Sequence, residues 1–138
     1  MPQKDLYHDA FRRTLEKDGW RITHDPLPLI FGRHNLFVDL GADRPLGAEK
    51  QGRKIAVEVK SFRGVSEMTD LERALGQFVL YRFLLSDQEP DRTLYLALPA
   101  EAFAGLLEGA EGQRLITAQS LKLLVVRVDR EEVTQWVE

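Results

Sequence analysis

The stretch from Lys54 to Leu98 constrains the fold more than any other. Lys54 to Phe62 is a β-like run, Ser66 to about Ser86 has helical periodicity, and Thr93 to Leu98 is apolar almost throughout. A run of that kind suits a strand covered on both faces, and a strand that follows a long helix is placed for a parallel crossover. The spacing therefore predicts that Thr93 to Leu98 pairs in parallel with Ile55 to Phe62.

The flanking segments extend this frame. Leu6, Tyr7, Ala10, Phe11 and Leu15 recur at helical spacing between Lys4 and Asp18, and Gly19 ends the pattern. Trp20 to Thr23 alternates like a short strand, Asp25-Pro26-Leu27-Pro28 breaks it, and Leu29 to Phe31 is a second extended piece. Leu36 to Gly41 reads as a strand antiparallel to Lys54 to Phe62, with Ala42 to Arg53 as the loop of a long hairpin. In the long helix, Thr69-Asp70-Leu71-Glu72 suits a capping box, and Leu71, Leu75, Phe78, Val79, Arg82 and Leu85 lie near one face. Pro99 suits the first turn of a helix over Ala100 to Leu107, and Glu111 to Gln119 forms another. Lys122 to Val128 and Val133 to Val137 close the chain as strands around Asp129-Arg130. The expected class is α/β, with a central mixed β-sheet flanked by helices.

A length of 138 residues with 43% hydrophobic content fits one domain spanning residues 1–138. The absence of cysteine excludes disulfides and thiolate metal sites, leaving carboxylate, imidazole, amide and carbonyl groups as ligands. With neither a secretory leader nor a bilayer-length apolar run, the expectation is a cytoplasmic protein with no membrane association. A net charge of −3 excludes a general nucleic-acid coat, so DNA contact has to be local, metal-assisted or shared with a partner.

Strand alternation puts Ile55, Val57 and Val59 on one face and Ala56, Glu58, Lys60 and Phe62 on the other. Glu58 and Lys60 thus point the same way, with backbones about 7 Å apart. A charge inside an apolar strand needs a counter-charge, a metal or a wet cleft. Asp39 is a second carboxylate inside an apolar run. With the two strands paired and Asp39 on the face of Glu58, two carboxylates converge beside Lys60, the oxygen-rich setting that magnesium or manganese requires. The Val59 carbonyl adds a further oxygen ligand. A plain Glu58–Lys60 pair on an exposed sheet edge is the alternative for the triplet alone, and the setting of Asp39 weighs against it.

Val38-Asp39 and Glu58-Val59-Lys60 resemble the signature of the PD-(D/E)xK nuclease superfamily, with Val38 where proline often stands. The resemblance spans about residues 4–98 and implies a restriction-endonuclease-like core of helix, three-stranded meander, helix and strand. It also implies catalytic roles for Asp39, Glu58 and Lys60. Phe37 to Ala42, Ala56 to Phe62 and Ala74-Leu75-Gly76-Gln77 resemble the cyanobacterial XisH family, and this likeness runs nearly end to end. That family is known as the excision controlling factors of the fdxN element, acting in site-specific DNA rearrangement. The resemblance implies a XisI-like protein as partner, and a site-specific recombinase as another.

Further positions gain meaning from these likenesses. Arg73, Gln77 and Tyr81 share a helix face, and Gln77 to Tyr81 resembles the Gln-x-x-x-Tyr motif of RecB-like nucleases. The resemblance implies that Gln77 orients the site while Tyr81 and Arg73 contact DNA; a polar stripe on a half-exposed helix is the plainer alternative. His8 shares an inward face with Phe11 and Leu15, and the superfamily's first helix often supplies an acid or a histidine to the metal. His8 is thus a candidate metal ligand with Asp9 in reserve, against the alternative of a structural histidine; Glu16 reads as solvent-facing. His24 and His34 read as loop residues, Lys4, Arg12, Arg13, Lys17 and Arg63 as scattered surface cations, and Trp20 and Trp136 as packing.

Two functions stay open on these grounds. One is a Mg2+- or Mn2+-dependent DNA endonuclease supporting excision of a DNA element, with Lys60 orienting the nucleophile. The other is a non-catalytic accessory factor that binds DNA, a recombinase or a XisI-like protein. A homo-oligomer in which Glu58 and Lys60 merely pair is a third reading.

Overall fold

The structure is a computed structural model and describes residues 4–45 and 52–138. Its elements run α1 (His8–Lys17), β1 (Arg21–His24), β2 (Leu27–Phe31), β3 (His34–Val38), β4 (Leu40–Arg44) and β5 (Arg53–Val59). They continue with α2 (Glu67–Gln88), β6 (Arg92–Pro99), α3 (Ala100–Leu106), α4 (Ala110–Gln119), β7 (Leu123–Arg127) and β8 (Glu132–Val137). A six-stranded sheet has the order β1-β4-β5-β6-β7-β8, and β2 and β3 form a separate two-stranded hairpin.

The expected crossover is present: β5 and β6 pair in parallel, with Glu58 opposite Leu96 and Val59 opposite Ala97, but the strand ends at Val59 rather than at Phe62, whose φ of 57° is left-handed and cannot continue a strand. β6 and β7 are parallel, whereas β1/β4, β4/β5 and β7/β8 are antiparallel. The sheet is therefore mixed and flanked by helices, as the sequence predicts. Burial follows from its layers. The central strands are apolar on both faces, while the edge strands β1 and β8 are largely half-buried or exposed. On one face Ala56, Leu94, Leu96 and Leu98 pack with Phe78 and Leu85 of α2 and with Leu27 and Leu29 of the hairpin. On the other, Ile55, Val57, Val59 and Tyr95 pack with Phe11 and Leu15 of α1 and with Trp20. Trp20 and Trp136 stack at 5.8 Å between ring centroids, which makes them packing residues.

The predicted strand Leu36 to Gly41 is in fact two strands that part at Asp39. β3 pairs with β2, from Phe31 opposite His34 to Leu27 opposite Val38. β4 pairs with β5, from Leu40 opposite Val57 to Arg44 opposite Arg53. The cause is a change of face: Val38 is buried in the core under α2, whereas Leu40 is buried in the core under α1. In one continuous strand residues two apart share a face, so the backbone must turn between them. The pairing of β4 with β5 also takes up the first part of the predicted loop, whose positions 46–51 lie outside the described residues.

Two helix boundaries differ from expectation. α1 begins at His8 because Asp5 turns its carboxylate to the backbone, accepting from Tyr7 N–H at 2.9 Å and from Ser61 N–H at 3.0 Å. α2 is capped by Ser66, whose hydroxyl accepts from Thr69 N–H at 3.2 Å, so the predicted box at Thr69 falls inside the helix. Its buried stripe is Leu71, Ala74, Phe78, Tyr81 and Leu85, while Val79 is 46% exposed. Among the described residues, no helix is long and apolar enough to cross a membrane.

The joint between α3 and α4 depends on close backbone approach. A Cβ on Gly112 would lie 2.3 Å from Leu107 Cα, and Leu107 is fully buried. Backbone cannot yield as a flexible side chain can, so Gly112→Ala is expected to cost about 1–3 kcal/mol by overpacking. Urea unfolding should show a lower midpoint at constant slope; an unchanged midpoint would contradict the close approach.

Candidate metal centre

The turn between β3 and β4 creates the site. β4 ends against β5 at the pair Leu40–Val57, which brings Asp39 beside Glu58. Beyond that point Val59 has no strand partner on this edge, and the Asp39 carboxylate substitutes, accepting from Val59 N–H at 2.7 Å. Glu58 replies by accepting from Asp39 N–H at 3.2 Å. Because N–H and C=O of one strand residue leave on the same edge, the Val59 carbonyl opens toward Asp39 as well. Lys60 Nζ stands 3.7 Å from Glu58 Oε2. A cavity of about 250 Å³ runs along these groups, walled by Asp39, Glu58, Val59 and Lys60 on one side and Gln77 and Tyr81 of α2 on the other.

The electrostatics follow from burial. Glu58 is 5% exposed, and burial together with the neighbouring Asp39 charge raises its carboxyl well above the usual range, with Lys60 opposing. Burial also raises Asp39, against the Val59 N–H, a hydrogen bond shared with Glu58, and the nearby His8 and Lys60. Two facing carboxylates in a poorly solvated cleft resist carrying both charges, and a proton shared between them or a bound cation relieves the repulsion. The Tyr81 phenol is pushed up to about 12 by burial and by Glu58 and Asp39, with Gln77 opposing, so it stays a neutral donor. Gln77 Oε1 is buried without a hydrogen-bond partner.

His8 reaches the same corner from α1. It is 3% exposed, and its Nδ1 lies 3.9 Å from Asp39 Oδ1 without a hydrogen-bond partner. Its Nε2 is 2.7 Å from Asp25 Oδ1, and Asp25 Oδ2 accepts from Arg12 at 2.5 Å. Burial works against the charge of Asp25, but hydrogen bonds from Arg12 and His8 outweigh it and hold this carboxyl below the usual range. The donor set of two carboxylates, a carbonyl and an imidazole suits magnesium or manganese in type. Among the described residues, no three His, Asp or Glu side chains are grouped so that they could hold a metal ion as they stand. Asp39 and Glu58 are instead engaged with backbone N–H groups that a bound cation would compete for.

Of the residues singled out from sequence, Asp39, Glu58, Val59, Lys60, Gln77 and Tyr81 meet at one cavity, and His8 adjoins it through Asp39. Arg73 does not line it. It lies on the neighbouring cleft of about 320 Å³, which also holds Lys60, Arg63 and Asp70. Tyr81 is 7% exposed, so only the cavity side of its ring is open to a ligand. Asp9 is exposed and does not line the cavity, but it pairs at 3.5 Å with Lys4, which does. His24 and His34 lie at strand ends rather than in a loop, and His24 is 3.3 Å from Arg92. Arg12, Arg13 and Arg63 are engaged by Asp25, Glu131 and Tyr7. Sequence reasoning missed Asp25 and Asp5. Asp25 reads only as a turn former before proline, and nothing local marks a partner that lies 17 residues away.

Comparison with known proteins agrees with this architecture. The family model described as XisH protein matches residues 1–134. A solved structure of an XisH family protein from Nostoc punctiforme PCC 73102 is 38% identical, with a TM-score of 0.86 over 97% of this chain and 100% of that one. An fdxN element excision controlling factor protein from Anabaena variabilis is 40% identical, with a TM-score of 0.85 over 98% of this chain and 100% of that one. A search of curated proteins gave no match. A family match over nearly the whole chain, with two solved structures of the same fold, establishes that this chain belongs to the XisH family.

Proposed function

We propose that this chain controls excision of an fdxN-type DNA element through a PD-(D/E)xK-like site that binds Mg2+ or Mn2+ and cleaves DNA phosphodiester bonds. Family membership and the name of the Anabaena variabilis relative support the excision role. The observation that carries the nuclease reading is the mutual engagement of Asp39 and Glu58, with Lys60 3.7 Å from Glu58 and the unpartnered His8 Nδ1 facing Asp39. The order of α1, the antiparallel β1-β4-β5 meander, α2 and β6 also agrees with the expected core.

Asp39, Glu58, the Val59 carbonyl and His8 Nδ1 would hold the ion. When bound, it supplies Lewis-acid stabilisation of the phosphoryl group and lowers the pKa of water. Lys60 Nζ, at the edge of the cavity, orients the attacking group and offers a proton donor to a phosphate oxygen. Gln77 lines the cavity with its amide, and Tyr81 confines it. Arg63 and Arg73 on the adjoining cleft support this reading as cations available to a DNA backbone.

An accessory role without turnover is favoured by a different observation. The net charge is −3, and Val79 and Phe83 on α2 are 46% and 63% exposed, an apolar pair suited to a protein such as a XisI-like partner or a recombinase. Incubating the protein with supercoiled, linear and branched DNA in Mg2+ or Mn2+ separates the two. Cleavage by the wild type that is lost in Asp39→Ala is expected; cleavage that survives the substitution rejects the site. No cleavage by either protein, with excision in cells unaffected by Asp39→Ala, selects the accessory role.

A further inference from the structure

We infer that Asp25 is a positioning residue that fixes His8 with its proton on Nε2, holding the Nδ1 lone pair toward Asp39 as a cation ligand. This rests on the metal-binding reading of the site. A carboxylate only accepts hydrogen bonds, so the 2.7 Å contact between Asp25 Oδ1 and His8 Nε2 requires the proton on Nε2. Arg12, one turn along α1 from His8, occupies the other oxygen of Asp25 at 2.5 Å and prevents the carboxylate from turning away.

In the neutral ring the lone pair then lies on Nδ1. That nitrogen is buried, has no hydrogen-bond partner among the described residues, and lies 3.9 Å from an Asp39 oxygen. The gap is too wide for a hydrogen bond. Two ligands held at about 2.1 Å from one magnesium ion lie about 3 Å apart when adjacent and about 4.2 Å apart when opposite, so a shared cation would draw these two atoms from 3.9 Å to one of those separations. A carboxylate behind a ligating histidine is the usual means of setting which ring nitrogen faces the metal.

Asp25→Asn tests this with little change of shape. Arg12 retains the amide oxygen, so the amide NH2 faces His8 Nε2 and donates to it, moving the ring proton to Nδ1. Long-range 1H–15N spectra of the metal-free protein, recorded at a pH where the spectra themselves show a neutral ring, should show Nε2–H in the wild type and Nδ1–H in Asp25→Asn. Mn2+ affinity should fall about 10–100-fold, and the same substitution in a His8→Ala background should cause no further loss. An Nδ1–H ring in the wild type overturns the inference whether or not the variant folds. So does a variant that keeps Nε2–H and full Mn2+ affinity, or that weakens Mn2+ equally without His8. A proton that moves from Nε2 to Nδ1 between the wild type and Asp25→Asn, in a protein that binds no Mn2+, keeps Asp25 as the group that positions His8 and rejects the cation, and with it the metal-dependent function.

Discussion

Replacing Glu58 by glutamine is expected to stabilise the metal-free protein at about pH 7.5 and to remove its stabilisation by Mn2+. The wild-type carboxyl is buried beside Asp39, and both effects raise its folded pKa above the unfolded value. The folded state therefore binds more protons than the unfolded state between those two values. Stability falls as pH rises through that window and stays reduced above it. Glutamine never ionises, keeps an oxygen to accept from Asp39 N–H, and relieves the repulsion on Asp39. The two proteins should melt alike near about pH 4, and the variant should melt at least about 3 °C higher at neutral pH, the shift that ~1 kcal/mol produces at this size. Saturating Mn2+ should raise the melting point of the wild type alone. A variant less stable than the wild type at neutral pH would mean that Glu58 is ionised and well paired without a cation.

Lys60→Ala separates binding from chemistry. The ammonium is half-buried, 3.7 Å from Glu58 Oε2, and it opposes the rise in the Glu58 pKa. It is not a metal ligand. The variant should therefore still bind Mn2+, while DNA cleavage falls about 10²–10⁴-fold, the usual contribution of a positioned proton donor. A parallel loss of both would place Lys60 among the groups that hold Glu58 in place for the ion. Undiminished cleavage would remove it from the chemistry.

The parts legible in the sequence were those set by local periodicity. Period-two alternation places Glu58 and Lys60 on one face, Glu58 in β5 and Lys60 just past its end, and both line the α2-side cavity. The crossover through α2 was legible because an apolar strand following a long helix has few other places to go. Asp39 was recognised as a carboxylate near this strand, but its conformation was not. The alternation of Leu36, Val38 and Leu40 looks unbroken, and only the tertiary structure assigns Val38 and Leu40 to opposite cores. The turn this forces frees the Asp39 carboxylate to cap Val59 N–H. On α2, counting hydrophobic residues favoured Val79, whereas Tyr81 occupies the buried stripe because its ring fills the core while its hydroxyl edge meets the cavity. Asp25 could not be found locally, since its role arises where the end of β1 passes beneath α1.

Calorimetric titration of Mn2+ into the wild type, Asp39→Ala and Glu58→Gln tests the metal centre most directly. The wild type should bind with a defined heat, and each variant should lose more than about 100-fold in affinity while remaining folded. Equal affinity in all three proteins would contradict the metal centre at Asp39 and Glu58.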